Sequence, residues 1–454
     1  MSEMTGVDSR GHIITSTSAS AVACCVGAFD SYAKRRADVI PQLQASIDAD
    51  GDCALTQAAF GLLLFGARHQ DLQPAASAAL VTAKEHYASA TSRERRFVDA
   101  LDFALQGKLD KVIATYQTIL NDHPTDLFAH SLCQAELFWL GDMQRSERIS
   151  ARTEKHWSEK VCGYGEFLAI RAFDLEETNQ FEAAERAGRQ AVDMDNSNIW
   201  ATHAVTHVMH MQARFDEGVS WLTGLQDHWE ESNQMKLHVW WHKALFHLER
   251  GEQDAVFDAY DKWIRNRSLE LVEAMPDLYI DLQNGASMLW RMEQAGLDVA
   301  HRWQEMADVV VHRLGDMGSP FTSAHYAIIL AAVGDFASCD LLVEKMQHFI
   351  HADSHTLADH FAGIALPAAE AAIAHRKGNY QLTVEKLMPA RHRMYQMGGS
   401  HAQQDLFYQI LVDAAYKLQR AELVSTLLQE IERIGFLGPA QRIAYADAAK
   451  AQPA

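Results

Sequence analysis

Residues 103–126 read FALQGKLDKVIATYQTILNDHPTD, and this stretch decides the fold. Apolar residues at helical spacing run up to Gln106-Gly107, a second amphipathic run starts near Leu109, and Pro124 closes it. Glycine after one run and proline after the next are helix stop signals. The same turn recurs as Leu140-Gly141-Asp142, Thr178-Asn179-Gln180, Gln212-Ala213-Arg214, Arg250-Gly251-Glu252, Ala295-Gly296-Leu297, Val333-Gly334-Asp335 and Lys377-Gly378-Asn379. The intervals between successive turns are 34, 38, 34, 38, 45, 38 and 44 residues.

A chain punctuated at this period is a helical repeat, and the tetratricopeptide unit of about 34 residues fits it. The longer intervals read as loop or helix insertions. Small residues sit where helices approach closely: Ala172, Ala184 and Ala191 mark one repeat, with Phe181 at the aromatic position between them. Phe215 and Tyr380 take that aromatic position in other repeats. Each unit is then a helical hairpin whose apolar face is buried only by stacking on the next. The expected fold is all-α, a right-handed superhelix of stacked hairpins with a concave groove lined by the first helix of each. Few segments look like strands, and no Gly/Ser/Pro linker cuts the chain. Residues 1–90 match the repeat poorly and read as an N-terminal helical cap, while residues 91–454 read as one continuous array of about eight to nine repeats.

Composition removes some partner classes. The 454 residues carry a formal charge of −20, and basic runs such as Lys34-Arg35-Arg36 are short. Nucleic acid needs a basic stripe and is not expected as a partner. The six cysteines, Cys24, Cys25, Cys53, Cys133, Cys162 and Cys339, show neither CxxC spacing nor a pairing framework, which suits a reducing compartment. The apolar run ASAVACCVGAF (19–29) lacks the basic leader and cleavage site of a signal peptide. No stretch reaches the ~18 apolar residues of a membrane span. The expectation is a cytoplasmic protein without a membrane partner.

The chemistry centres on histidine. NIWATHAVTHVMH (198–210) places His203, His207 and His210 on one helix face. Counted from the turn, they take groove-facing positions, with Val205, Val208 and Met209 at packing positions. The next first helix, NQMKLHVWWHKALFHLERG (233–251), carries His238 and His242, again four apart. In SPFTSAHYAIILAAVGD (319–335), His325 sits at the position equivalent to His242. Adjacent first helices pack roughly 8–10 Å apart, so the two pairs can converge.

Three readings fit. The histidines are ordinary packing residues, since the chain has 23 of them. Alternatively, His203, His207, His238 and His242 hold a tetrahedral divalent metal, although the glutamate of H-E-x-x-H is lacking and the nearby acids Asp216 and Glu217 lie past the turn. The third reading is acid–base chemistry or binding of a polar ligand. Trp200, Trp240 and Trp241 would then build apolar walls, and Asp281 or Asp405 would orient an imidazole, although Trp200 suits core packing better. Farther on, YQMGGSHAQQDLFYQIL (395–411) opens a helix in which Ser400 and Gln403 form a capping box. A helix start explains it adequately; the functional alternative is an anion held by backbone N–H groups with Ser400, His401 and Gln403. No P-loop, G-x-S-x-G or dinucleotide fingerprint is present.

RERRFVDAL, DHPTD, NIWATHAVTHVMHMQARFDEGVSWL, HVWWHKALFHLERGEQDAVFDAYD, SAHYAIILA and MGGSHAQQDLFYQIL together resemble the tetratricopeptide repeat protein 38 family. The resemblance runs from about STSAS (16–20) to beyond residue 430. It implies an all-α repeat fold. It also places histidines at 203, 207, 238, 242 and 325, an acid at Asp281, the Gly-Gly-Ser at 398–400, and Gln403 and Asp405. His210 and His401 fall outside its pattern. It brings no catalytic mechanism.

The function these residues suggest is binding of a small polar or anionic molecule in a histidine-rich pocket of the groove. Conversion by His acid–base catalysis (isomerisation, racemisation or hydrolysis) is the sharper version. The working residues would be His203, His207, His238, His242 and His325, with Trp241, Asp281, Ser400, Gln403 and Asp405 binding. The alternative is a non-catalytic scaffold that takes a peptide or protein in the groove; metal-dependent hydrolysis comes third. No cofactor is expected beyond the divalent metal, and a homodimer is compatible. The groove carries histidine where carboxylate-ended peptides usually meet a Lys/Asn clamp, which favours the pocket.

Overall fold

The computed structural model describes residues 5–351, 355–439 and 442–450. Every turn read from the sequence is present. Gly107, Gly141, Asn179, Ala213, Gly251, Gly296, Gly334 and Gly378 all adopt left-handed backbone, with φ between 55° and 81°. A ninth such turn, at Gln419 (φ 56°), carries no glycine and leaves no sequence signature. Helices on either side of these turns pack as hairpins, for example Tyr164–Glu176 with Phe181–Met194 and Leu366–Arg376 with Tyr380–Ala390. The fold is an all-α, right-handed superhelix of tetratricopeptide-type hairpins.

The N-terminal region adds an element the sequence reading lacks. Thr5–Val7 and Ile13–Thr15 pair as a short antiparallel hairpin, with Val7 opposite Ile13. Strands of three residues are too short for a period of two to register. Ser18 then caps the helix Ala19–Ala33 by accepting from the backbone N–H of Ala21. Two helical pairs follow, Ala19–Ala33 with Val39–Ala49 and Ala54–Gly66 with Gln73–Glu85. Arg35 and Arg68, each just past the end of a first helix, are left-handed without being glycine (φ 57° and 51°).

The superhelix is tight, and its second turn lies on its first. Arg68 Nη1 donates to the carbonyl of Gly318 (2.8 Å), 250 residues away. The Leu109 N–H donates to Thr356 Oγ1 (3.0 Å) across 247 residues, and Asn179 Nδ2 to the Ile434 carbonyl (3.1 Å) across 255. The hairpin turns of the first half therefore dock on the inter-repeat loops of the second. One core cluster joins Ile14 to Ala448 through both halves.

The concave groove expected from the sequence is largely filled. The first helices face the superhelix axis, but the axis is packed. Asp281 through Met292 are buried without interruption, as are Pro320 through Ala331. In Ile199–Met211 only Trp200 is partly exposed. An unbroken buried helix needs neighbours on all sides, and the inward-facing helix His401–Lys417 of the second turn supplies one by packing against Tyr279–Gln294 and Ile199–Met211. Among the described residues no helix is long and apolar enough to cross a membrane.

Candidate functional site

The histidine pairs stand on neighbouring first helices. Asn198 caps the helix Ile199–Met211 through the Ala201 N–H (3.0 Å), which fixes where the next turns fall. His203 and His207 follow on one face. Met235–Glu249 lies alongside and presents His238 and His242. The Nε2 atoms meet: His207 to His203 at 2.9 Å, His203 to His238 at 3.1 Å, and His238 to His242 at 3.2 Å. One ring nitrogen from each of the four lies within 4.8 Å of all the others. All four residues are buried.

The outward-facing nitrogens have their own surroundings. His207 Nδ1 lies 3.3 Å from Glu176 Oε2 and 3.5 Å from Glu177 Oε1. His238 Nδ1 contacts Asn284 Oδ1 at 2.9 Å. His203 is stacked against Trp200 (ring centroids 4.9 Å) and Phe173 (5.4 Å), and His238 against Trp241 (5.2 Å). Burial and the adjacent imidazoles push His203 and His242 well below the usual histidine range. Burial takes His238 down to about 3. For His207 burial works the same way, but Glu176 and Glu177 outweigh it and raise the ring to about 9. Burial, and then Glu176 beside it, raises Glu177.

Other residues read from the sequence take different places. His325 Nδ1 donates to the Phe321 carbonyl (2.8 Å), and the ring packs on Phe321 and Phe407, apart from the four-histidine group. Trp241 is buried and makes no solvent-facing wall. Asp281 is buried and contacts no histidine among the described residues; burial raises its carboxyl to about 7. Asn284, one turn further along the same helix, holds the imidazole that an acid was expected to orient. Ser400 and Gln403 complete both bonds of the capping box and are buried, so their side chains are spent on starting the helix. Asp405 accepts from Tyr445 Oη (2.5 Å) and Gln409 Nε2 (2.7 Å) and lies beside Arg291 and Arg442, so it ties down the C-terminal segment.

His210 and His401, outside the family pattern, are nevertheless close. His210 contacts Arg442 Nη2 at 3.0 Å, with its ring 6.3 Å from that of His242. His401 Nδ1 is 3.7 Å from Glu177 Oε2. The sequence reading missed Glu176 and Glu177. They end the first helix of the preceding repeat, three and two residues before its turn at Asn179, whereas His207 lies six before the turn at Ala213. An alignment by repeat puts Glu176 level with His210, one turn beyond His207, so no sequence signal pairs the two acids with His207.

The space left at the axis is a cavity of about 360 Å³ beside this cluster. Arg35, Arg68, Gln134, Trp139, Trp200 and Tyr279 are among its lining residues. The Arg35 guanidinium lies 4.5 Å over the Trp200 ring and 5.4 Å from Tyr32. Arg68 sits over Trp139 (5.7 Å) and is neutralised by Glu136 (3.1 Å). Arg35 has no ion pair among the described residues, and its Nε is buried without a hydrogen-bond partner. Trp200 is held in place by its indole N–H, which donates to Gln134 Oε1 (3.0 Å). The same ring is cavity wall on one side and packs on His203 on the other. The sequence reading favoured core packing for Trp200; it does both.

No protein-family model matches the sequence. Among solved structures, the crystal structure of yeast Tom70 aligns over 95% of this chain and 95% of that one, at 12% identity and a TM-score of 0.35. A structure of Naa15/Naa10 bound to HypK aligns over 95% of this chain and 65% of that one, at 12% identity and a TM-score of 0.26. At these scores neither likeness carries a residue role or an activity across.

Proposed function

We propose that this protein is a helical-repeat recognition module that binds an anionic ligand with an apolar body in the cavity at its axis. One observation carries the reading: Arg35, an unpaired cation held over Trp200, faces a cavity of about 360 Å³ walled by aromatic rings. Pockets of this size with few polar groups and aromatic walls are typical ligand sites. A guanidinium that lacks a carboxylate partner among the described residues can form a charge-assisted, bidentate pair with one from outside. Helical-repeat scaffolds commonly serve by binding an extended segment along their inner face, so the free C-terminal end of a peptide is the leading occupant. A small free carboxylic acid is the second, favoured by the cavity's volume.

The geometry supports five-histidine acid–base catalysis less well. Four imidazoles present their nitrogens to one another, and His325 lies elsewhere. The quoted motifs support placing the chain with the tetratricopeptide repeat protein 38 family, as a cap over residues 1–90 and one array over 91–454. The test is a thermal-shift panel of short apolar peptides with free or amidated C-termini, together with aryl and alkyl carboxylates. The reading expects free acids, and no amides, to raise the melting temperature of the wild type. A panel in which amides or cations stabilise as well as acids refutes it.

A further inference from the structure

We infer that His203, His207, His238 and His242 form a closed, four-coordinate site for a divalent metal of the zinc class, which clamps two consecutive repeats together. An imidazole Nε2 carries either one proton or one lone pair. Along the chain His207–His203–His238–His242, the two middle nitrogens must each serve two partners at 2.9–3.2 Å. Neutral imidazoles cannot make three good bonds this way, and charged ones would crowd several protons into a buried space. Four lone pairs pointed at one cation remove the conflict.

Zn–N bonds of about 2.0–2.1 Å in a tetrahedron put neighbouring nitrogens about 3.3–3.4 Å apart. The three direct contacts, 2.9, 3.1 and 3.2 Å, are close to such edges, and the remaining pairs fall within 4.8 Å.

Two buried carboxylates, Glu176 and Glu177, stand behind His207, and both oxygens of Glu176 lack a hydrogen-bond partner. Without a metal the four imidazoles bring at most the one charge of His207 to offset them, whereas a divalent cation brings two. The surroundings also have the form usual around metal-bound histidine, in which the outer ring nitrogen is held by a carboxylate or carbonyl oxygen. Asn284 does this for His238, and Glu176 and Glu177 stand 3.3 and 3.5 Å from His207 Nδ1.

Imidazole ligands and tetrahedral geometry select zinc among the common divalent ions. Four protein ligands leave no open position, so the site is structural and carries no metal-bound water. It joins Ile199–Met211 to Met235–Glu249, the helices that carry Trp200 and Trp241, each stacked on one of the four imidazoles.

The full chain is loaded with Zn2+, desalted and assayed by elemental analysis and melting, with a parallel sample loaded with Co2+ for visible absorption. The site predicts about one Zn2+ per chain, retained on desalting, and a melting temperature that falls on chelation and recovers on re-addition. Co2+ should give the intense visible bands of a tetrahedral centre. His203→Gln with His242→Gln should bring the bound metal below about 0.1 equivalents, while exposed His228→Gln keeps it. Should the double variant not fold, the wild-type stoichiometry and Co2+ spectrum decide alone. Less than about 0.1 equivalents in the loaded wild type overturns the site, as does a melting temperature indifferent to chelator. A five- or six-coordinate Co2+ spectrum overturns the closed, structural assignment.

Discussion

Replacing Gly141 and Gly251 separately by alanine measures how firmly one superhelical turn rests on the other. Both are hairpin-turn residues with nearly the same backbone, φ 72° and 73°. A Cβ in that conformation costs about 1–2 kcal/mol at either position. Their surroundings differ. A Cβ on Gly251 meets nothing within 4 Å. A Cβ on Gly141 would collide with the carbonyl oxygen of Tyr395 and lie 2.7 Å from its carbonyl carbon. That neighbour is backbone of the second turn, so no rotamer change relieves the clash, and overpacking of this kind adds about 1–3 kcal/mol. The expectation is a loss of about 1–2 kcal/mol for Gly251→Ala and about 2–5 kcal/mol for Gly141→Ala. Urea unfolding followed by far-ultraviolet circular dichroism reads both, with the slopes compared to check that the transition is unchanged. Equal losses would refute the docking of Tyr395 on Gly141, and with it the packed axis.

Three further outcomes follow from the same coordinates. Ala213 is left-handed (φ 55°) without being glycine, so Ala213→Gly should stabilise by about 0.5–1 kcal/mol, net of the entropy glycine adds to the unfolded chain; unfolding midpoints check it. Asp126 accepts from Arg93 Nε (2.6 Å) and from the Ala129 N–H that it caps (3.0 Å), both buried, and Asp126→Ala should cost about 3–5 kcal/mol. Burial pushes the Asp126 carboxyl up, but Arg93, His12 and the Ala129 N–H together outweigh it and the net shift is downward. Its stabilisation is therefore full above the unfolded value of about 3.9 and is lost as pH falls through the lower folded value; urea midpoints should fall less steeply with acid in the variant than in the wild type. Buried Arg442 contacts Glu249 (3.2 Å) and His210 (3.0 Å), so Arg442→Ala should loosen the C-terminal segment and speed its release in limited proteolysis.

The repeat was legible because each unit carries its own punctuation. Gly107, Gly141, Gly251, Gly296, Gly334 and Gly378 mark turns that a side chain resists, and the spacing then supplies the hairpins. The histidine pairs were legible for the same local reason, since i, i+4 residues share a helix face. What depends on residues 250 apart was not. The contacts of Arg68 with Gly318 and of Asn179 with Ile434 set the tightness of the coil, and nothing local to either partner encodes them. Hence the filling of the groove was not foreseen, and Ser400, Gln403 and Asp405, read as ligand-binding, make their hydrogen bonds inside the fold, while Asp281 is buried. Arg35 was hidden differently: it appeared only as part of a short basic run, and its role comes from Trp200, a repeat-helix residue that its own sequence context marked as core.

The most direct test of the central claim is a titration cycle on Arg35. The best peptide from the panel, with free or amidated C-terminus, is titrated calorimetrically into the wild type and Arg35→Leu. A charge-assisted pair of about 1.5–3 kcal/mol predicts that the wild type prefers the free acid by about 10-fold or more, and that Arg35→Leu does not discriminate. If the variant keeps the wild-type preference for the acid, the cavity does not read its ligand through Arg35 and the account is contradicted.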